Sequence, residues 1–253
     1  MLMKHRIQTL LCILLTLSLL ALCACRQAPP PEEPTTTAAP TATQLPGETT
    51  AAGEAFPDPV DFAAYQSVNR EVYAYIRVPG TNIDYPIVQS GSSDSYYLRR
   101  TWQGKSNYRG CIFTQSVNAK EFTDPVTVVY GHNTDQGDMF SELLNYQDPA
   151  FFDAHDKFYI FLPGHILVYQ VISAHTFDNR HIMNSYDFSN PQVLAEFQQM
   201  LLSPAALERN VRSGVTLDAG SEIVVLSTCA EPRSGASARY LVNGVLVNDV
   251  VTV

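Results

Sequence analysis

The sequence has little positive charge, and it shows no metal-ligand motif and no internal repeat. Lys and Arg total 16 against 25 Asp and Glu, which gives a formal net charge of -9. Such an acidic chain argues against a nucleic-acid partner. The acidic residues also lack the spacing of a calcium-binding loop. We therefore predict no nucleic acid, no metal and no cofactor.

The N-terminus has the pattern of an export signal. Lys4 and Arg6 precede an apolar run from Ile7 to Cys25. The run approaches the roughly 18–20 apolar residues that span a bilayer, so it can remain as a signal anchor. Residues 22–25, Leu-Cys-Ala-Cys, also resemble a bacterial lipobox, which makes Cys25 a lipidation candidate. Free secretion is a third interpretation.

All three interpretations place the remaining chain outside the cytoplasm, in agreement with positive charge on the short inner side. We expect a protein tethered by its N-terminus, through an anchor or a lipid, to the extracellular face of the plasma membrane. Residues 26–57 are rich in Pro, Thr and Ala and predict a disordered, extended tether. Residues 58–253 are long enough for one domain with a sizeable core.

Cysteine is scarce in that domain, which has only Cys111 and Cys229. Outside the cytoplasm the two can form a disulfide. The alternative is one buried thiol and one reactive thiol.

Short apolar segments typical of β-strands dominate the domain. Eight of them, separated by turn signals, predict a mainly-β barrel or sandwich. They are VYAYIRV, NIDYPIVQ, GCIFTQ, TVVYGH, KFYIFL, ILVYQVISAH, EIVVLST and YLVNGVLVNDVVTV. Apolar residues at helical spacing predict a helix over 59–71 and another over 191–207, and 138–146 form a shorter helical patch.

Three residues at strand ends are candidates for catalysis. Cys229 follows EIVVLST, His132 ends TVVYGH, and Arg239 precedes YLVNGVLV. A thiol nucleophile needs an acid or base beside it and a group that stabilises the oxyanion, which histidine and arginine can supply. Each residue alone is more often structural, as a buried thiol, a hydrogen-bonded histidine or a surface arginine. Strand ends at one rim of a barrel can bring the three together.

These motifs resemble those of the sortases. Leu-Ser-Thr-Cys at 226–229, with Arg239 ten residues on, is similar to the active-site signature, and Tyr-Gly-His-Asn at 130–133 is similar to the histidine motif. The resemblance is to class B sortases and covers nearly the whole domain. Supporting stretches are NIDYPIVQ (82–89), SYYL (95–98), GCIF (110–113), VVYGHNTDQGDMF (128–140) and the helix near 191–202.

The resemblance implies a sortase-type eight-stranded β-barrel, with an N-terminal helix and a helical insertion before the strand that carries the cysteine. It implies Cys229 as nucleophile, His132 as acid–base partner, and Arg239 as the cation that orients the substrate or stabilises the oxyanion. Six further positions match the family's peptide groove, with core packing or a solvated loop as the alternative for each. They are Asp94, Leu98, Tyr130, His181, Ile182 and Ser227.

Three positions depart from the family pattern. Ala230 stands where an acidic residue often follows the nucleophile, so a triad carboxylate there is unsupported. Gln115 replaces a common acidic residue. Cys111 replaces a small residue and is interpreted as a buried hydrophobe.

The implied function is that of a cell-surface cysteine transpeptidase of a Gram-positive-type envelope. Its partners would be surface proteins or pilins with a C-terminal sorting motif, cleaved after Thr through a thioacyl-enzyme. The acceptor would be an amine of a peptidoglycan precursor or a pilin Lys. Two alternatives stay open: a cysteine protease or hydrolase that uses water, and a catalytically idle, peptide-binding surface lipoprotein.

Overall fold

A computed structural model describes residues 58–231 and 237–253. The predicted leader (1–25, with Cys25) and tether (26–57) lie outside the described residues. Within the described ranges, no helix combines the length and apolar character that crossing a bilayer requires.

In the described part of the chain, nine strands form one sheet. They are β1 (Val72–Arg77), β2 (Asp84–Gln89), β3 (Ile112–Thr114), β4 (Val126–Tyr130), β5 (Lys157–Leu162), β6 (His165–Asp178), β7 (Arg209–Val211), β8 (Ile223–Cys229) and β9 (Ala238–Val251). The α-helices within the described residues are α1 (Phe62–Val68), α2 (Pro149–Ala154), α3 (Ile182–Ser185) and α4 (Pro191–Leu202). Two 3-10 segments, Tyr96–Arg99 and Ser141–Gln147, lie in the connections.

Eight of these strands close into a barrel. The order is β5-β1-β2-β3-β4-β8-β9-β6, and a β5–β6 pairing closes the ring. The short β7 pairs with β6 outside the ring. Two neighbouring pairs are parallel, β2 with β3 and β4 with β8, and the other pairs are antiparallel. The predicted sortase-type barrel is therefore confirmed, and the sandwich alternative is wrong.

The barrel interior is one apolar cluster to which all eight strands contribute, as expected when a small barrel is filled by side chains. One member from each strand, in chain order, is Ile76, Ile87, Ile112, Val129, Ile160, Tyr169, Leu226 and Val242. Along β8, Val224 and Leu226 belong to this interior cluster, whereas Ile223 and Val225 belong to a second cluster. This alternation follows from the two-residue period of a strand.

The inserted helix α4 packs against the outside of the barrel. Asn190 caps it, because the side-chain oxygen accepts from the backbone N–H groups of Gln192 and Val193, at 2.9 and 3.4 Å. Its buried face, with Leu194, Phe197 and Leu201, joins the second cluster. The helix ends at Leu202, five residues before the end of the predicted segment 191–207.

Helix α1 is also shorter than the segment 59–71 from which it was predicted. Asp61 caps its start by accepting from Ala64 N at 2.9 Å. Asn69 at its C-terminus is extended, and β1 begins at Val72. The chain thus needs residues 69–71 to change direction into the barrel.

Candidate active site

The parallel pairing of β4 with β8 sets the site. Parallel strands end at the same edge of a sheet, and here Tyr130 lies opposite Ser227. His132 and Cys229 each follow their paired residue by two positions. The pairing continues past β4, because Gly131 N donates to Ser227 O at 3.2 Å. Both catalytic candidates are therefore brought to one rim of the barrel.

Strand β9 brings the third candidate to that rim. It runs antiparallel to β8, and Arg239 lies directly opposite Cys229 in the register. On the other side of β9, Arg239 lies opposite Phe177 of β6. Across the rim, from β4 through β8 to β9, the side chains therefore follow the order histidine, cysteine, arginine.

Cys229 is a free, half-buried thiol at the last residue of β8. Cys111 is also free but is buried, and burial raises the pKa of its thiol. The two do not form a disulfide. This difference in exposure leaves Cys229 as the thiol that a substrate can approach.

His132 is held through one ring nitrogen. Its Nε2 lies 2.8 Å from the carbonyl oxygen of Leu98. A carbonyl can only accept, so Nε2 is the donor in this contact, and Nδ1 is the ring nitrogen that remains for the predicted acid–base role.

Gly110 permits this approach. A Cβ there would lie 2.8 Å from Leu98 O and 3.1 Å from His132 Cδ2, and the φ of +60° favours glycine. The loop after His132 is closed by Phe140 N, which donates to His132 O at 2.9 Å.

Asn133 connects the histidine loop to the nucleophile. Its buried side chain donates from Nδ2 to the carbonyl oxygen of Cys229 at 3.0 Å. The next amide, Ala230 N, donates to Ala238 O at 3.2 Å. The peptide unit between Cys229 and Ala230 is therefore held at both its C=O and its N–H.

That arrangement bears on oxyanion stabilisation. The Ala230 N–H is already engaged in the strand pairing, whereas the Arg239 side chain lines the same cavity as the thiol. Its guanidinium also donates from Nη1 to Ala238 O at 3.3 Å. Arg239 therefore stays the predicted donor for a developing oxyanion, because it lines the cavity that contains the thiol.

One cavity of about 580 Å³ contains the site. All nine residues selected from the sequence line it: Asp94, Leu98, Tyr130, His132, His181, Ile182, Ser227, Cys229 and Arg239. Other lining residues include Phe113, Gln115, Phe177, Asn179, Arg180 and Thr228. The structure therefore brings the candidates together, while the role of each stays a prediction.

A model of the Sortase domain family matches residues 76–247. The chain belongs to the sortase family. Sortase B of Listeria monocytogenes is 29% identical to it over 186 residues, which is 72% of this chain and 72% of that protein. Sortase B of Staphylococcus aureus is 25% identical over 181 residues, with the same coverage of each chain.

Solved structures agree with this assignment. A Bacillus anthracis sortase B, in complex with AAEK1, has a TM-score of 0.64 and 32% identity, covering 74% of this chain and 84% of that one. The Staphylococcus aureus sortase B–substrate complex has a TM-score of 0.66 and 23% identity, covering 76% and 87%. The protein is a class B sortase, a cysteine transpeptidase.

Two segments that come from different parts of the chain line the catalytic cavity. On one side, Leu98 is 40% exposed and Asp94 is oriented by Ser116 N, which donates to its Oδ1 at 2.8 Å. On the other, His181 caps α3 by accepting from Asn184 N at 3.2 Å.

Tyr130 and Ile182 form the apolar part of the groove. The Tyr130 ring lies 5.4 Å from that of Phe113 and 6.0 Å from that of His181, between centroids. Its hydroxyl is buried without a hydrogen-bond partner among the described residues, and burial raises its pKa. Ile182 is buried beside it. None of the described lining residues comes from α4, which packs outside the barrel.

Asn133 is the functional candidate that the sequence interpretation missed. It belongs to the quoted Tyr-Gly-His-Asn motif, so the motif contained the signal, but its partner lies 96 positions away. The described residues include no cluster of three or more His, Cys, Asp or Glu side chains arranged to hold a metal.

Proposed function

We propose that this sortase cleaves a sorting peptide after Thr, holds the acyl group on Cys229, and transfers it to an amine. The observation that supports this most is the register, which places Cys229 opposite Arg239 and, with His132, at one rim of one cavity. The family resemblance further implies that the sorting motif has a Pro two residues before the Thr.

The first half-reaction uses the three side chains in turn. The Cys229 thiol first gives its proton to His132 Nδ1. The resulting thiolate attacks the Thr carbonyl carbon, and a C–S bond forms while Arg239 stabilises the oxyanion. The C–N bond then breaks, and the leaving amine takes a proton from His132 Nδ1. The product is a thioester and a released peptide.

The second half-reaction regenerates the enzyme. A neutral amine attacks the thioester carbonyl, the C–S bond breaks, and sulfur leaves as the thiolate. The proton lost by the nitrogen returns to His132. We infer that the acceptor is an amine of a peptidoglycan precursor or a pilin Lys, and that the donors are surface proteins or pilins.

We also propose that the domain acts at the extracellular face of the plasma membrane. Lys4, Arg6 and the apolar run that ends at Cys25 support an N-terminal anchor or lipid. The segment 26–57 would then hold the barrel away from the bilayer.

A peptide-library experiment tests the proposal. Full-length protein in detergent is incubated with peptides that vary around a Pro-x-Thr core, with and without an added amine, and products are read by mass spectrometry. We expect cleavage after Thr, and an amide product when the amine is present. Cys229→Ala is the control and should give neither product.

The two alternatives give different products. A hydrolase would release only the free acid at every amine concentration. An idle binding protein would retain peptides without cleavage, and a thiol-reactive probe would not label Cys229 faster than a model thiol. Either outcome would contradict the proposal.

A further inference from the structure

A second cavity, of about 350 Å³, adjoins the catalytic one. The two cavities share Ser93 and Asp94. The second cavity is lined almost wholly by polar side chains. Those that the argument uses are Ser90, Ser92, Ser93, Asp94, Ser116 and Lys120.

The wall of this cavity is built by its own hydrogen bonds. The buried Ser90 hydroxyl accepts from the backbone N–H groups of Ser92 and Ser93, at 3.1 and 3.4 Å. Gly91 N donates to the Glu71 carboxylate at 2.7 Å. The loop is thus tied to the residue before β1, and the cavity is shaped before any ligand arrives.

Two opposite charges face this space. Asp94 lines both cavities, and one of its oxygens is oriented by Ser116 N at 2.8 Å. Lys120 lines the second cavity and is not among the lining residues of the first. Among the described residues, neither side chain forms an ion pair. The Lys120 ammonium lies 5.6 Å from the centroid of the Tyr73 ring. A molecule with one positive and one negative end would pair with both charges.

We propose that the second cavity binds the acceptor, as a molecule that carries a primary amine and a carboxylate. The ammonium group would lie at Asp94, at the junction with the catalytic cavity, and the carboxylate at Lys120. The inference rests on the proposed transfer to an amine. The two lining residues that the cavities share, Ser93 and Asp94, support it, because the acceptor nitrogen must reach the thioester.

The chemical step is balanced without another reactant. The bound ammonium loses one proton to water. The neutral amine attacks the thioester carbonyl, the C–N bond forms, and the C–S bond breaks to give the Cys229 thiolate. The second proton leaves the nitrogen for His132.

The test measures how the thioacyl-enzyme divides between amine and water. Full-length protein and a cleavable peptide are titrated with glycylglycine, or with glycylglycinamide, which lacks the carboxylate. Lys120→Ala should raise the glycylglycine concentration for half-maximal transfer by about two- to fivefold, the size expected of an exposed ion pair. It should leave the value for glycylglycinamide unchanged. Lys105→Ala removes an exposed lysine that lines neither cavity and should change neither value.

Asp94→Asn tests the other end. It should lower the ratio of transfer to hydrolysis for both acceptors by a similar factor. The ratio does not depend on how fast the thioacyl-enzyme forms, so slower acylation would not obscure the result.

The inference is overturned if Lys120→Ala shifts both acceptors equally or neither, or if Asp94→Asn leaves the ratio unchanged. If the wild-type protein forms no thioacyl-enzyme with any peptide, or only hydrolyses it, the proposed function itself fails. These results separate the two claims.

Discussion

Asn133→Ala should both slow catalysis and lower the free energy of unfolding. The substitution removes the 3.0 Å bond from Asn133 Nδ2 to the Cys229 carbonyl oxygen. Asn133 is only 8% exposed, so the carbonyl loses its donor in a buried setting. Such a loss costs about 1–3 kcal/mol of unfolding free energy. A nucleophile displaced by a fraction of an ångström can also lose on the order of tenfold to a hundredfold in rate.

Asn118→Ala is the matched control. Asn118 is likewise buried, and its side chain donates to Val126 O at 2.9 Å and accepts from Val128 N at 3.2 Å. It does not line the catalytic cavity. Both variants should lower the unfolding temperature, but only Asn133→Ala should slow peptide cleavage and Cys229 alkylation per folded molecule.

Asn133→Asp adds a pH readout. A carboxylate has the same shape but cannot donate to the Cys229 carbonyl, whereas the protonated acid can. The activity of this variant relative to wild type should therefore rise as pH falls. If Asn133→Ala lowers stability while cleavage and alkylation by the folded fraction stay at wild-type rates, the bond is only structural and the reasoning is refuted.

Four other changes have defined outcomes. Cys229→Ala should abolish the thioacyl adduct seen by mass spectrometry and keep the circular dichroism spectrum, since the thiol ends a strand and is half-buried; residual turnover would rule it out as the nucleophile. Arg239→Ala should reduce turnover about a hundredfold or more, and Arg239→Lys should restore only part, because a point charge cannot replace the planar guanidinium; a wild-type rate for the alanine variant would remove Arg239 from the site. Burial lowers the pKa of His175 below its ordinary 6.5, so the unfolded chain binds the proton more tightly and stability should fall as pH drops below 6.5. His175→Gln should flatten that part of a plot of unfolding temperature against pH, and an unchanged slope would assign it to other groups. Cys25→Ser should release the protein from membranes and abolish a diacylglyceryl mass, unless the leader is retained as an anchor, in which case neither changes.

The local sequence pattern was sufficient to predict most strands of the barrel. The eight predicted segments correspond to β1–β6, β8 and β9, because runs of Val, Ile, Tyr and Phe bounded by turns are a local signal. β7 was missed since Arg209–Val211 is three residues long, partly exposed and without apolar alternation. It becomes a strand only because β6 offers an edge for pairing.

The catalytic candidates could likewise be selected from the sequence, because each lies at the end or the beginning of a predicted strand and belongs to a specific motif. Their convergence was not visible from strand pattern alone. A barrel of the same segments with β4 and β8 antiparallel would put His132 and Cys229 at opposite rims. The prediction that the three candidates converge at one rim depended on the resemblance to sortases and not on the periodicity of the residues.

Sequence pattern alone predicted eight of the nine described strands, the inserted helix, and the side chains that are candidates for nucleophile, acid and cation. Tertiary structure decided that α4 supports the barrel from outside, that Asn133 holds the Cys229 carbonyl, and that a second polar cavity opens at Asp94. The physical reason is the separation along the chain of the residues that interact. Strand propensity and helix caps depend on neighbours a few residues apart, whereas these three features depend on strand pairing and loop packing between residues distant in the chain.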